Sequence, residues 1–95
     1  MLRITMQDQP EQVTLKLEGQ LIGAWVAEVE NAWRTANSIL VGRSLYLDLN
    51  SVDHVDGAGK YLLALIARSG TQLMASGPEM KDLLQAIAKE WPLRL

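Results

Sequence analysis

The run Leu47-Asp48-Leu49-Asn50-Ser51-Val52-Asp53-His54-Val55-Asp56-Gly57-Ala58-Gly59-Lys60 decides how this chain folds. It leaves an apolar strand, passes through a polar turn and enters a helix whose first backbone N–H groups lack intrahelical partners. Just upstream, Leu45-Leu47-Leu49 alternate with Ser44-Tyr46-Asp48, the period of a strand with one buried face. Asp56 stands where an N-cap belongs, offering oxygens to the free amides and a charge that suits the positive end of the helix dipole. Gly57 and Gly59 remove side-chain bulk at the same corner, which lets a partner's backbone or an anion come close. From Gly57 the helical pattern continues until Gly70.

Beyond this helix, Thr71 to Ala75 predicts a short strand, and Pro78 opens another helix at a position where its missing N–H costs nothing. There Met80, Leu83, Leu84, Ile87 and Trp91 share one face, while Lys81, Asp82, Gln85 and Lys89 share another. On the amino-terminal side, Ile22, Trp25, Val29, Trp33 and Ala36 recur at three- and four-residue spacing, predicting a helix from about Leu21 to Ala36. Glu30 precedes Arg34 by four residues, the favourable order for a surface pair on that helix. Earlier still, Leu2-Ile4-Met6 and Val13-Leu15-Leu17 flank the polar turn Asp8-Gln9-Pro10-Glu11, the pattern of an antiparallel hairpin.

These segments give the order β-β-α-β-α-β-α, an α/β class with a mixed sheet of four to five strands. The strands are apolar on one face only, so helices should cover mainly one side and water the other. The tail Leu93-Arg94-Leu95 would supply the fifth strand at an edge. The 95 residues read as a single domain, 1–95.

Composition narrows the function. There is no cysteine, so disulfides and thiolate metal sites are excluded. A net charge of −2 offers no basic footprint for nucleic acid or an anionic membrane. The longest apolar run, Tyr61 to Ala67, is far too short to insert across a bilayer, and residues 1–8 lack the apolar stretch of a signal peptide.

Several chemistries fail on spacing. Gly57-Ala58-Gly59-Lys60-Tyr61-Leu62 begins like a dinucleotide loop but has Leu62 where the third glycine belongs. A phosphate-binding loop would need glycine at His54 and Ser or Thr at Tyr61's place beside Lys60, and a calcium loop from Asp48 would need an acidic or amide residue at Val52 and glycine at Asp53. Asp48, Asp53 and Asp56 could in principle gather a magnesium ion or accept a phosphoryl group, but turn-capping explains the same spacing. His54, the sole histidine, has no second histidine or cysteine for zinc and reads as an exposed turn residue. No cofactor is expected.

The residues Leu47-Asp48-Leu49, Val52, Val55-Asp56-x-x-Gly59 and Leu62-Leu63 resemble the signature of the STAS family, which takes its name from sulfate transporters and anti-sigma-factor antagonists. The resemblance extends to Leu15-x-Leu17-x-Gly19 with Leu21, and to Leu73-x-x-x-Gly77. In regulated members the corner reads Asp-Ser/Thr-Ser/Thr-Gly, and a partner kinase phosphorylates the second hydroxyl residue to release the antagonist. Here those two positions are Gly57 and Ala58, so Ala58 is the phosphoacceptor equivalent and cannot be phosphorylated. Ser51 carries a hydroxyl but precedes the helix start.

The resemblance implies a non-catalytic, cytoplasmic bacterial regulator whose partner is an anti-sigma factor or GHKL-type kinase. A STAS subunit or scaffold of a membrane transporter or sensory complex is the alternative. A phosphoaspartate or magnesium-dependent enzyme using Asp48, Asp53 or Asp56 is the third reading. The docking surface is expected at the corner, from Asp53, His54, Asp56, Gly57, Ala58 and Gly59. It should continue onto the helix through Lys60, Tyr61, Ala64 and Arg68, with Gly59, Leu62, Ile66 and Ser69 turned inward. An exposed sheet edge also allows a homodimer. Trp25, Trp33 and Trp91 lie on apolar stripes and read as core residues.

Overall fold

The computed structural model describes residues 1–90; Trp91 and the tail Leu93-Arg94-Leu95, with the edge strand expected there, lie outside the described residues. The chain forms β1 (Leu2–Asp8), β2 (Gln12–Leu21), α1 (Trp25–Ser38), β3 (Ser44–Val55), α2 (Gly57–Arg68), β4 (Gln72–Met74) and α3 (Pro78–Glu90). The described residues make a four-stranded sheet in the order β1-β2-β3-β4. β1 and β2 are antiparallel, with Ile4 opposite Leu17 and Met6 opposite Leu15, whereas β2, β3 and β4 are parallel. Consecutive parallel strands need long crossovers, which α1 and α2 supply, and a common crossover hand puts both helices on one face.

Burial follows that arrangement. Val13, Leu15, Leu17, Leu45, Leu47 and Leu49 are buried and join Val29 and Ala36 of α1, Leu62, Leu63 and Ile66 of α2, and Ile87 of α3 in the core. Each valine, leucine or isoleucine among them contributes roughly 1.5–3 kcal/mol when fully buried. Trp25 and Trp33 pack against the core as half-buried residues, and Trp33 Nε1 donates to Thr71 Oγ1 at 3.2 Å. The Glu30–Arg34 pair forms on exposed α1 at 2.8 Å.

Two boundaries differ from the sequence pattern. The first helix starts at Trp25 and not near Leu21, because β2 continues to Leu21, which is paired with Val55 and fully buried. Gly23, at φ +57°, then reverses the chain in a left-handed conformation suited to glycine. The second difference is larger. Residues 50–55, read as a turn, are the second half of β3.

β3 has 12 residues against the 10 of β2, and the register slips once between Lys16 and Glu18 and again between Gly19 and Gln20. Each slip is a bulge that adds one residue to β3 and moves the following side chains to the other face. The first brings Val52 into the core instead of Ser51, and the second brings Val55 back in phase with the leucines. Asp48 Oδ1 accepts from the Asn50 N–H at 2.9 Å beside the first bulge.

At the opposite end of the sheet, Arg43 ties two connections together. It donates to the carbonyls of Ile39 and Leu40 at the end of α1, to the Gln9 carbonyl at 2.8 Å in the hairpin turn, and to Asp8 Oδ1.

Candidate functional site

β2 and β3 end together, with Leu21 opposite Val55, while β4 stops opposite Asp48; α1, α2 and α3 each follow the carboxyl end of one of these parallel strands. Asp56 organises the corner where β2 and β3 end. As N-cap of α2 it has an extended backbone (φ −85°, ψ −177°), and its Oδ1 accepts from the Gly59 N–H at 2.8 Å. Its Oδ2 accepts from the Gly23 N–H at 2.9 Å, so the same carboxylate also holds the β2–α1 connection. The Asp56 N–H donates to the Leu21 carbonyl at 3.2 Å, and its own carbonyl accepts from Lys60 N–H at 2.9 Å. Hydrogen bonds from Gly23 and then Gly59 hold the carboxyl below its ordinary value of 3.8; desolvation opposes them, while His54 and the Ala58 amide add to the lowering.

The residues expected to form one surface separate into groups. Gly59 is buried: a Cβ there would lie 2.7 Å from the Leu21 carbonyl oxygen and 2.8 Å from Val55 Cγ1. Its missing side chain serves internal helix–strand packing and cannot admit a partner. Ala64 is also buried, at 3% exposure, because α3 covers this flank of α2, where Ala64 lines a narrow cleft with Leu84, Ile87 and Ala88. A wheel drawn with one buried side misses the second helix lying against it.

Ser69, expected inside, is exposed at the helix end, with Oγ donating to the Ile66 carbonyl at 2.6 Å. Asp53 and His54 are exposed residues of β3 and not of a turn, and Ser51 likewise lies in the strand. Asp53 and His54, with Lys60, border a cavity between β3, α2 and α3.

What remains open is a straight face of α2. Ala58, Tyr61, Leu65 and Arg68 recur at three- and four-residue spacing and are all exposed, Tyr61 at 54% and Leu65 at 37%. Gly57 is exposed at its start, with nothing within 4 Å of the space a Cβ would take. Leu65 was absent from the sequence-derived surface. Its signal was the spacing of four from Tyr61 and three before Arg68, masked by its place inside the apolar run.

Asp48, Asp53 and Asp56 do not converge. Among the described residues no three of His, Cys, Asp and Glu are grouped as a metal site would require. Nor is any helix among them long and apolar enough to cross a membrane.

Comparison with solved structures places this geometry. An anti-sigma-factor antagonist from Mycobacterium paratuberculosis superimposes with a TM-score of 0.71 at 19% identity, over 98% of this chain and 85% of that one. The anti-sigma-factor antagonist SpoIIAA in its unphosphorylated form gives 0.64 at 21% identity, over 87% of this chain and 82% of that one. An antisigma-factor antagonist STAS domain from Rhodobacter sphaeroides gives 0.57 at 18% identity, over 82% and 88%. No protein-family model and no curated protein matches the sequence. The chain has the fold of STAS domains and anti-sigma-factor antagonists.

Proposed function

We propose that this protein is a non-catalytic cytoplasmic docking module of the anti-sigma-factor-antagonist kind. Its partner is a protein, an anti-sigma factor or GHKL-type kinase, bound through Ala58, Tyr61, Leu65 and Arg68 on α2. One observation carries the reading: Ala58 is exposed at the first turn of a helix whose start is fixed by Asp56, and an aromatic, an aliphatic and a cationic residue follow it along the same face.

A phosphate at this position would bring about two negative charges beside the helix start and could be added and removed. Alanine carries no hydroxyl, so docking is constitutive and is set by the concentration of the partner. Asp53, His54 and Lys60 line the cavity beside α2 and would tune association rather than anchor it.

The test is affinity capture from the native cell with the wild-type protein and with Leu65→Glu. A GHKL-type kinase retained by the wild type and lost by the variant supports the reading. An ATPase or permease subunit in its place supports the transporter-subunit alternative. Partners that ignore Leu65→Glu, and also Tyr61→Ala, would remove α2 as the docking face.

A further inference from the structure

β3 overhangs its neighbour. Its pairing with β4 stops at Asp48 opposite Met74, yet β3 continues to Val55, and the chain returns only at Pro78 as α3. The space left between the end of β3, the first turn of α2 and the first turn of α3 is a cavity of about 480 Å³. That size falls within the range of about 300–1,000 Å³ usual for small-molecule sites. Its place, beyond the carboxyl ends of parallel strands, is where open α/β sheets bind ligands.

The lining has a definite chemistry. Leu49, Val52, Met80 and Leu83 contribute apolar surface, while Lys60, Asp53 and Glu79 bring opposite charges to the same cavity. Among the described residues none of these three charged groups forms an ion pair. No described strand pairs with the β4-side edge of β3 beyond Asp48, so that edge presents both backbone donors and acceptors. The bulges twist it, which disfavours an added strand and favours a compact ligand.

We propose that this cavity binds a small zwitterion with an apolar side group, the chemistry of an aromatic or branched α-amino acid. Lys60 receives the carboxylate, Asp53 and Glu79 receive the ammonium, and the apolar floor covers the side group. Lys60 and Asp53 are shared with the charges that tune docking, whereas the docking anchors Tyr61, Leu65 and Arg68 lie outside this cavity.

The experiment titrates isotope-labelled full-length protein with L-phenylalanine, phenylacetate and phenethylamine, following amide chemical shifts. L-Phenylalanine should give saturable shifts at Val52–Val55, Lys60 and Gly77–Met80 with a Kd on the order of 1 mM, and the two singly charged analogues should bind about tenfold more weakly. Lys60→Ala should weaken phenylalanine by about tenfold and leave phenethylamine unchanged. Met80→Trp, which fills the floor, should abolish the shifts; Lys60→Ala decides the matter alone if Met80→Trp does not fold. Equal binding of all three probes, an affinity for phenylalanine that Lys60→Ala leaves unchanged, shifts that gather elsewhere, or no saturation of the wild type by about 10 mM overturns the proposal.

Discussion

Asp56 and Gly23, 33 residues apart in sequence, are joined by a 2.9 Å hydrogen bond from the glycine N–H to Oδ2 of the same carboxylate that caps α2. One side chain therefore sets both the start of α2 and the connection from β2 to α1. Asp56→Ala removes both acceptors and should lower Tm by roughly 5 °C. Asp56→Asn should lie between, because asparagine keeps one acceptor oxygen but turns an amide donor towards the second N–H. Thermal melts of the three proteins at neutral pH measure this; an alanine variant as stable as the wild type would mean that the two bonds contribute nothing.

The same carboxylate gives stability a direction with pH. Its folded-state pKa lies below the ordinary 3.8, so the unfolded chain takes up the proton first as acid is added. Its contribution is therefore complete above the ordinary value and is lost as pH falls through the folded-state value. Denaturant melts should show a decline in stability in the acid range below about pH 4 that is shallower in Asp56→Asn. Equal slopes for the two proteins would assign the acid sensitivity to other carboxyl groups.

The two glycines of the corner should respond oppositely to alanine. At Gly59 the new methyl would meet the Leu21 carbonyl and Val55 within 2.8 Å, so Gly59→Ala should cost about 1–3 kcal/mol. At Gly57 the space is open and the backbone helical, so Gly57→Ala should be neutral or stabilise by roughly 0.5 kcal/mol. Urea unfolding of each variant reads the sign directly.

Adjacent positions on α2 separate folding from docking. Ala64→Glu would place a carboxylate beneath α3 and should cost about 3 kcal/mol or more. Leu65→Glu changes an exposed residue and should stay within about 0.5 kcal/mol of the wild type, while partner binding is lost. Circular dichroism melts beside a pull-down distinguish the two. Binding by Leu65→Glu, or an undisturbed melt for Ala64→Glu, would reverse these assignments.

The element order, the mixed sheet and the Asp56 cap were legible because each rests on local pattern: alternation in Leu45-Leu47-Leu49, apolar spacing along α3, and a capping residue three positions before Gly59. What stayed hidden depends on contacts distant in sequence. The second half of β3 looks like a turn because its two bulges break the period of two at Asn50–Ser51 and at Asp53, and only pairing with Glu18 to Leu21 reveals it as strand. Ala64 looks exposed on a wheel because nothing nearby in sequence announces the approach of Leu84 and Ile87. The Gly23–Asp56 bond leaves no local trace at all.

Arg43 has a practical consequence for handling the molecule. Because it fastens the end of α1 to the hairpin turn, Glu11 belongs to a clamped pole, and the ten residues of β2 carry the chain from there to the helix starts. At about 3.3 Å per residue the two poles are roughly 30 Å apart. A dye or a surface tether attached at Glu11 would thus hold the protein by its quiet end and leave the opposite one free to be probed.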